Sequence, residues 1–355
     1  MAGTAEVPLQ ARFANALAAY ARYVKKALWP VENAVFYPLE PMKLFSVPVI
    51  IAVFLVGVIS FLAWRGLRRC PAFAVGWLWF LITLVPVIGI VTVGAQSMAD
   101  RYTYIPFTGL FIMAAWGAWE WLPRWRQRPK VLAFASVAVL CALTILSRAQ
   151  ISYWKDSISL FERTLAVTQR NWLAEFNMGV YLAKEGKLND AERHYRRALD
   201  IRPPYAEAHT NLGNLLLRQG RFDEAIFHLQ EAYRLDKGGR RTAFNLANAL
   251  MEDGQLLKAL IFFEKAVQAD PSHVPSRDNY GICLARLGRH REALEQFQAS
   301  LVTGGGDEIT HYHLAGSFVS LGQIDQAVVH LRKSLDINPA FLPARQALER
   351  LSRVR

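Results

Sequence analysis

Gly186, Gly220, Gly254, Gly288 and Gly322 stand 34 residues apart without a slip, and Ala191, Ala225, Ala259, Ala293 and Ala327 follow them at the same step. A period of this length leaves the chain few folds. Each period is one supersecondary unit that cannot bury its apolar face alone, so neighbouring units must stack. Gly179, Gly213, Ala247, Gly281 and Ala315 form another small-residue series, and Ala198, Ala232, Ala266, Ser300 and Ser334 a third. Small residues at fixed phase mark where two helices of one hairpin, or two hairpins, approach closely. Tyr195, Leu229, Phe263, Phe297 and Leu331 fill the space between them. The region therefore reads as an all-α solenoid of helical hairpins.

A 34-residue hairpin with this alternation of small and large positions resembles the tetratricopeptide repeat. Five units span residues 172–341, three of them ending in Pro203, Pro271 and Pro339, and residues 342–355 read as a capping helix through Leu348 and Leu351. Residues 151–171 read as a half-repeat linker helix, with Phe161 and Thr164 at the large and small positions of a preceding unit. Lys237-Gly238 and Gly304-Gly305-Gly306 replace the proline turn of units two and four.

Asn177, Asn211, Asn245 and Asn279 recur at the same step, with His313 in fifth place, and Asn214 and Asn248 lie three residues after two of them, on the same helical face. In the resembled family the first helices line a concave surface that binds extended peptides. An amide carries both donors and an acceptor and can pair with any peptide backbone. Arg218, Arg241, Phe176, Phe244 and Tyr312 share that surface and can supply selectivity. The other reading is that these asparagines bond one hairpin to the next or simply solvate the face.

The first half differs in kind. Residues 1–150 hold 14 Lys or Arg against 5 Asp or Glu, whereas the rest holds 27 against 24. Apolar stretches Phe45–Trp64, Phe73–Ala95, Ile105–Leu122 and Val131–Ser147 read as four membrane spans, with Trp64, Trp77, Trp79, Trp116, Trp119, Trp121 and Trp125 near their ends. Cationic charge beside apolar spans points to a membrane, not to nucleic acid. Arg65, Arg68 and Arg69, and then Arg124, Arg126, Arg128 and Lys130, put two loops in the cytoplasm, so both chain ends and the solenoid are expected outside it. The repeats are therefore expected on the periplasmic or extracytoplasmic side of the membrane. No cleavable signal peptide is evident. In residues 1–44, Phe13, Leu17, Tyr20, Val24 and Leu28 recur at helical spacing, with Arg12, Asn15, Arg22 and Lys26 on other faces. That amphipathic segment either lies in the outer interface or packs on another subunit or on a missing part of the protein.

The loop Asp100-Arg101-Tyr102-Thr103-Tyr104 has two readings as well: an Arg fork for a lipid-linked phosphate, oriented by Asp100 with Tyr102 and Tyr104 at the interface, or an ordinary hydrated turn. Pro86, Gly89 and Gly94 loosen the helix that leads into it. Cys70, Cys141 and Cys283 lie in three different settings and make no disulfide framework. All eight histidines lie beyond residue 193, scattered through the repeats, with no metal site expected. No phosphate-binding glycine loop or serine elbow is present, which argues against ATPase or hydrolase chemistry.

Gly76-Trp77-Leu78-Trp79-Phe80, Leu84-Val85-Pro86 and Met98-Ala99-Asp100-Arg101-Tyr102-Thr103-Tyr104-Ile105-Pro106, with Tyr20 to Tyr23, Trp29-Pro30 and Phe36-Tyr37-Pro38, resemble the C-terminal membrane region of the tetratricopeptide-containing transmembrane O-mannosyltransferase family and its bacterial relatives. The resemblance implies a polytopic enzyme that takes sugar from a polyprenyl-phosphate donor, with catalytic carboxylates in an early external loop. No such carboxylate pair precedes Asp100 here. The expected function is therefore a membrane-tethered extracytoplasmic repeat module binding a protein or peptide, in contact with membrane lipids and a glycosyltransferase subunit, without a cofactor of its own and not catalytic in isolation. The alternative is a transferase active only with a missing N-terminal membrane region and its polyprenyl-phosphate-linked sugar.

Overall fold

The structure, a computed structural model, describes residues 8–39, 41–90, 96–122 and 125–354. Gly94, Ala95 and Arg124 lie outside the described residues. The chain forms two compact units, residues 1–201 and 202–355.

The first unit opens with α1 (Leu9–Leu28), followed by β1 (Tyr37–Pro38), α2 (Val47–Gly66) and α3 (Pro71–Leu84). β2 (Gln96–Met98) pairs antiparallel with β1, Tyr37 opposite Met98, and a single helical turn at Asp100–Thr103 leads into α4 (Tyr104–Trp121) and α5 (Arg128–Ser152). This two-stranded clip is the one departure from an all-α chain among the described residues.

The second apolar stretch does not stay helical to its end. α3 stops at Leu84, because Val85 precedes a proline and Gly89 takes the left-handed conformation at φ +89°. Its 14 residues span about 21 Å, short of a hydrocarbon core of about 30 Å. Among the described residues two helices, α2 and α5, are long and apolar enough to cross a membrane. No residue in the most apolar window of α5 is buried, and Phe134 and Leu140 stand exposed on its surface.

Between α3 and α4 the backbones meet at Gly76 and Gly109, where a Cβ on either glycine would overlap the other's carbonyl oxygen. Around that crossing Trp77, Phe80, Leu84 and Ile88 form a core with Tyr23, Met98 and Leu110. Trp77, expected at a membrane boundary, is instead buried, its indole N–H donating to Ser60 Oγ at 2.8 Å. The indole N–H of exposed Trp79 donates to the Ile105 carbonyl, 2.9 Å away. Of the five large residues of the α1 stripe, Leu17, Tyr20 and Val24 pack partly buried against the unit. The alanine face of α1 is buried, with Ala14 and Ala18 beside Val49 of α2 and Ala16, Ala19 and Tyr23 in the core, while Phe13 and Leu28 are exposed. The segment packs on its own chain.

The hairpins follow in order. α6 (Ser157–Val167) precedes α7 (Trp172–Lys184) and α8 (Leu188–Ile201) in the first unit. The second unit holds α9 (Ala206–Arg218) with α10 (Phe222–Leu235), α11 (Arg240–Glu252) with α12 (Leu256–Ala269), α13 (Val274–Arg286) with α14 (His290–Val302), α15 (Glu308–Ser320) with α16 (Ile324–Ile337), and α17 (Leu342–Val354). Each hairpin turns on its repeated glycine, at φ between +75° and +80°. There the N–H of the next residue reaches back to a carbonyl of the first helix, as Arg221 does to Leu216 at 3.0 Å. Where the proline turn is missing, Lys237 and Gly238 both take positive φ and end α10. Gly281 faces the Phe297 ring and Gly213 the Leu229 side chain so closely that a Cβ would overlap them, which explains the small-residue series.

Candidate functional site

In the second unit the successive first helices α9, α11, α13 and α15 touch one another, while each second helix packs on the first helix of the next hairpin. First helices that meet directly lie on the inner side of the curve. Asn211, Asn245, Asn279 and His313 all stand half-buried on these helices, and Arg218 and Arg241 are exposed beside them. Asn214 is half-buried one turn after Asn211.

The amides do not all serve one purpose. Asn279 Nδ2–H donates to Asn248 Oδ1 at 2.8 Å, so this pair ties two hairpins together as the second reading of the column required. Phe244 meets Phe263 and His273 edge-on, and Tyr312 meets Phe341 the same way, 5.6 Å between centroids. His313 stacks on Phe297. At this end of the row a cavity of about 570 Å³ is lined by Tyr312, His313, Gly316 and Ser320 of α15 and by Arg350 and Leu351 of α17. Phe176 and Asn177 occupy the equivalent hairpin position on α7 in the first unit, with Phe176 against Tyr195 at 5.9 Å.

Four of the eight histidines, scattered along the sequence, are in fact paired. Nδ1 of His209 lies 3.0 Å from Nδ1 of His228, and His311 and His330 repeat this contact at the same distance. In both pairs the ring centroids are 5.2 Å apart, so the nitrogens lie on the line joining the rings and point at one another. That is the geometry of a shared N–H···N proton, not of two lone pairs converging on a metal. Among the described residues no group of three His, Cys, Asp or Glu side chains comes together as a metal site. His209 Nε2 lies 3.1 Å from the Pro203 carbonyl and donates to it, so its Nδ1 accepts from His228. Glu175 and His194, 2.6 Å apart, and Arg277 with Gln296 occupy the same rung in other hairpins. The signal was available: His209 and His311, like His228 and His330, are separated by three repeat steps.

This pairing sets an acid limit. Burial pulls His209 and His311 below the ordinary histidine value and, with the facing His311 and Lys333 charges, takes His330 down to about 4. Glu231 beside the first pair and Asp307 beside the second pull the other way, and Arg234 adds to the depression at the first. The unfolded chain takes up these protons below about pH 6.5 while the folded chain resists, so stability is full above that pH and falls toward pH 4. We expect acidification from pH 7 to pH 5 to cost about 1–2 kcal/mol after solvent screening, and His209→Gln/His311→Gln to flatten the profile in denaturant titrations followed by circular dichroism.

The loop around Asp100 holds a second polar centre. Asp100 does not orient Arg101. Its Oδ1 makes an ionic contact with Lys26 Nζ at 2.8 Å, and Oδ2 accepts from Tyr37 OH at 2.9 Å and from the Ala34 N–H at 3.2 Å. Lys26 also donates to the Tyr37 hydroxyl, to the Glu32 carbonyl and to Asn33 Oδ1. Burial lowers the Lys26 ammonium from its usual range against the pull of Asp100, and raises the Tyr37 phenol, assisted by the same carboxylate. Arg101 is exposed, its guanidinium 5.3 Å from the Tyr102 ring centre; Tyr102 OH accepts from Gln96 Nε2 at 2.8 Å, and Tyr104 is exposed.

The segment between α1 and β1, which supplies Ala34 to Asp100, also holds the first hairpin. Asn171 Nδ2–H donates to the Phe36 carbonyl at 2.9 Å, Arg163 to the Val31 carbonyl, and Phe36 packs edge-on against Trp172. Asn171 also caps α7, accepting from the Ala174 N–H at 3.0 Å.

Residues 169–238, 210–274 and 310–341 match the tetratricopeptide repeat family. The C-terminal region is a tetratricopeptide-repeat solenoid. The solved structures similar to the chain include YrrB, a tetratricopeptide protein described as having an unusual peptide-binding site, at 24% identity over 53% of this chain and 97% of that one, with a TM-score of 0.48. MamA from Desulfovibrio magneticus RS-1 is 16% identical over 48% of this chain and 96% of that one, with a TM-score of 0.46. Among curated proteins, the Protein O-mannosyl-transferase F38B6.6 of Caenorhabditis elegans is 26% identical over 140 residues, 39% of this chain and 20% of that protein. Protein O-mannosyl-transferase Tmtc2 of Drosophila melanogaster is 22% identical over 112 residues, 32% of this chain and 12% of that protein. The chain thus spans a fifth or less of the curated relatives it matches.

Proposed function

We propose that this protein is a membrane-tethered tetratricopeptide module that captures an extended protein segment outside the cytoplasm and serves a protein glycosylation system. The observation that carries the reading is the row of half-buried polar side chains on the touching first helices of the second unit, with exposed Arg218 and Arg241 at its margin. Asn211, Asn214 and Asn245 offer amides to a peptide backbone; Asn248 and Asn279 hold the hairpins in register and shape the floor. Phe244, Tyr312 and His313 complete the candidate contacts in the second unit, and Phe176 and Asn177 are the corresponding candidates on α7 of the first unit. The bare apolar surface of α5 supports the membrane tether, and the loop charges favour a periplasmic solenoid on four membrane-associated helices.

Two lost amide contacts at about 0.5–1.5 kcal/mol each correspond to roughly tenfold weaker binding. We therefore expect Asn211→Ala/Asn245→Ala to reduce capture of extracytoplasmic peptides about tenfold, measured by fluorescence anisotropy on the folded full chain, while Asn279→Ala also loosens the stack. Unchanged capture by the folded double variant refutes the groove. Cys283, the obvious label for the solenoid's compartment, is buried; Val302→Cys, at an exposed site, is the better reporter.

The similarity to O-mannosyl-transferases favours a second reading, in which the chain works with a membrane region that carries the catalytic carboxylates and a polyprenyl-phosphate-linked sugar. Exposed Arg101, with Tyr102 and Tyr104, is then the candidate for the lipid phosphate, and Asp100 sets the loop's position through Lys26 and Tyr37 rather than by touching Arg101.

A further inference from the structure

The register of the second unit's inner surface breaks at one place. At one phase of the 34-residue period the first helices carry Asn214, Asn248 and Ile282, then Gly316 on α15, and Arg350 follows on α17. One turn further along each helix, Arg218, Glu252 and Arg286 give way to Ser320. Two neighbouring side chains are thus cut short on α15, and both line the cavity of about 570 Å³. Packing does not ask for the glycine. Gly213 and Gly281 clear the side chains of Leu229 and Phe297, whereas a Cβ on Gly316 would meet nothing within 4 Å. A glycine in a helix interior weakens the helix, and one that makes room for nothing in its own fold keeps space open for something from outside.

The walls indicate what enters. Tyr312, one turn before Gly316, brings a half-buried ring that meets Phe341 edge-on. From α17, exposed Arg350 borders the cavity with Leu351 beside it, and none of the described residues that line it is Asp or Glu. A guanidinium and an aromatic ring on either side of bare helix backbone suit a flat side chain. An aromatic ring can lie against the backbone at Gly316, turn its face to the Arg350 cation and meet the Tyr312 ring at an edge or offset. An aliphatic side chain would fill the same space and gain nothing from the cation. The volume falls within the range of about 300–1,000 Å³ usual for ligand pockets, so the largest side chains fit.

We infer that this cavity is a specificity pocket for one aromatic residue of the extended segment that the inner surface captures. The inference rests on the peptide-capture reading and adds a choice of side chain to it. Amides that pair with a peptide backbone are blind to sequence, so Asn211, Asn214 and Asn245 cannot set which segment binds or where along the row it stops. A single pocket at the α15 end does both: it selects an aromatic anchor and fixes the register of the segment on the amides before it.

The test selects random dodecapeptides from a display library on the immobilised full chain in neutral detergent micelles, in parallel for the wild type and for Gly316→Leu. That substitution restores a side chain at the phase of Ile282, enters open space and favours the helix, so the variant should unfold no lower than the wild type. The wild type should enrich peptides with Phe, Tyr or Trp at one fixed position, and Gly316→Leu should enrich peptides without that preference. In fluorescence anisotropy, exchanging the aromatic residue of an enriched peptide for alanine should weaken binding to the wild type about tenfold or more, and binding to Gly316→Leu less than about twofold. Ser320→Arg, which restores the residue type of Arg218 and Arg286, should lose the discrimination as well, and Arg350→Gln should reduce it about threefold. If Gly316→Leu does not fold, Ser320→Arg carries the comparison. Peptides enriched without a fixed aromatic position, or an equal aromatic preference in the wild type and both pocket-filling variants, overturn the pocket and leave the capture reading standing. A folded wild-type chain that enriches no peptide overturns both.

Discussion

Replacing Gly76 with alanine should cost the first unit about 3 kcal/mol, and replacing it with leucine should prevent α3 and α4 from packing. The added Cβ has nowhere to go: its nearest neighbours are the Gly109 carbonyl and the Met113 backbone nitrogen, and backbone cannot rotate aside as a side chain can. Close approach through small residues is how helices associate where lipid supplies no hydrophobic drive between them. Gly109→Ala meets the Gly76 carbonyl in the same way. Once either variant has parted the helices, the second methyl fits the gap already made, so Gly76→Ala/Gly109→Ala should cost well under the sum of the two. Gly57 of α2 is the control. It has nothing within 4 Å of an added Cβ, and alanine there should leave stability unchanged or raise it by up to about 1 kcal/mol through helix propensity. Thermal unfolding in detergent micelles, followed by near-ultraviolet circular dichroism of Trp77 and its neighbours, reads the difference. Equal midpoints for Gly76→Ala and Gly57→Ala would sink the argument.

The crossing at Gly76 also shows where sequence reading stops. The solenoid was legible because its contacts are local and repeat: the small residue that clears Leu229 at Gly213 recurs at Gly281 against Phe297 and, as alanine, at Ala247 and Ala315, and repetition makes the requirement visible. Gly76 and Gly109 meet once. Each is an unremarkable small residue in an apolar run, and nothing in the spacing says that they touch. The end of α3 was partly legible through Pro86 and Gly89, yet the hydropathy of the stretch suggested a longer helix than the backbone forms. At α1 the large apolar residues drew attention, and Leu17, Tyr20 and Val24 do pack, but five of its most buried positions are alanines, because close packing on α2 selects for small size rather than for hydrophobic bulk. The histidine rungs lay between these cases, periodic but interrupted by Ala243 with Phe262 and by Arg277 with Gln296, so that no single residue type marked the rung.

The ion pair between Lys26 and Asp100 was hidden altogether, since its partners lie on α1 and on the turn before α4. Lys26→Met should destabilise the first unit by about 3 kcal/mol, because it strips the cation from a carboxylate that is largely removed from water while the hydrogen bonds from Tyr37 and Ala34 stay in place. Paired charges in such a setting contribute little net stability; an orphaned one is costly. Asp100→Asn in the wild-type background leaves the ammonium with the Glu32 carbonyl, Asn33 and the Tyr37 hydroxyl, and should cost less than Lys26→Met. Combining the two should recover at least half of the Lys26→Met loss, a coupling that a merely steric role for Lys26 cannot produce. Because the Ala34–Tyr37 segment that binds Asp100 is continuous with Phe36, which holds Asn171 and Trp172, the Lys26→Met variant should also loosen the attachment of α7. Hydrogen exchange at the α7 amides should rise in Lys26→Met and fall back in the double variant, whereas exchange in α15, stabilised by its own hairpin and by the Asp307 cap, should stay where it was. Exchange that rises equally in both helices would mean that the ion pair supports the chain globally and has no particular part in seating the first hairpin.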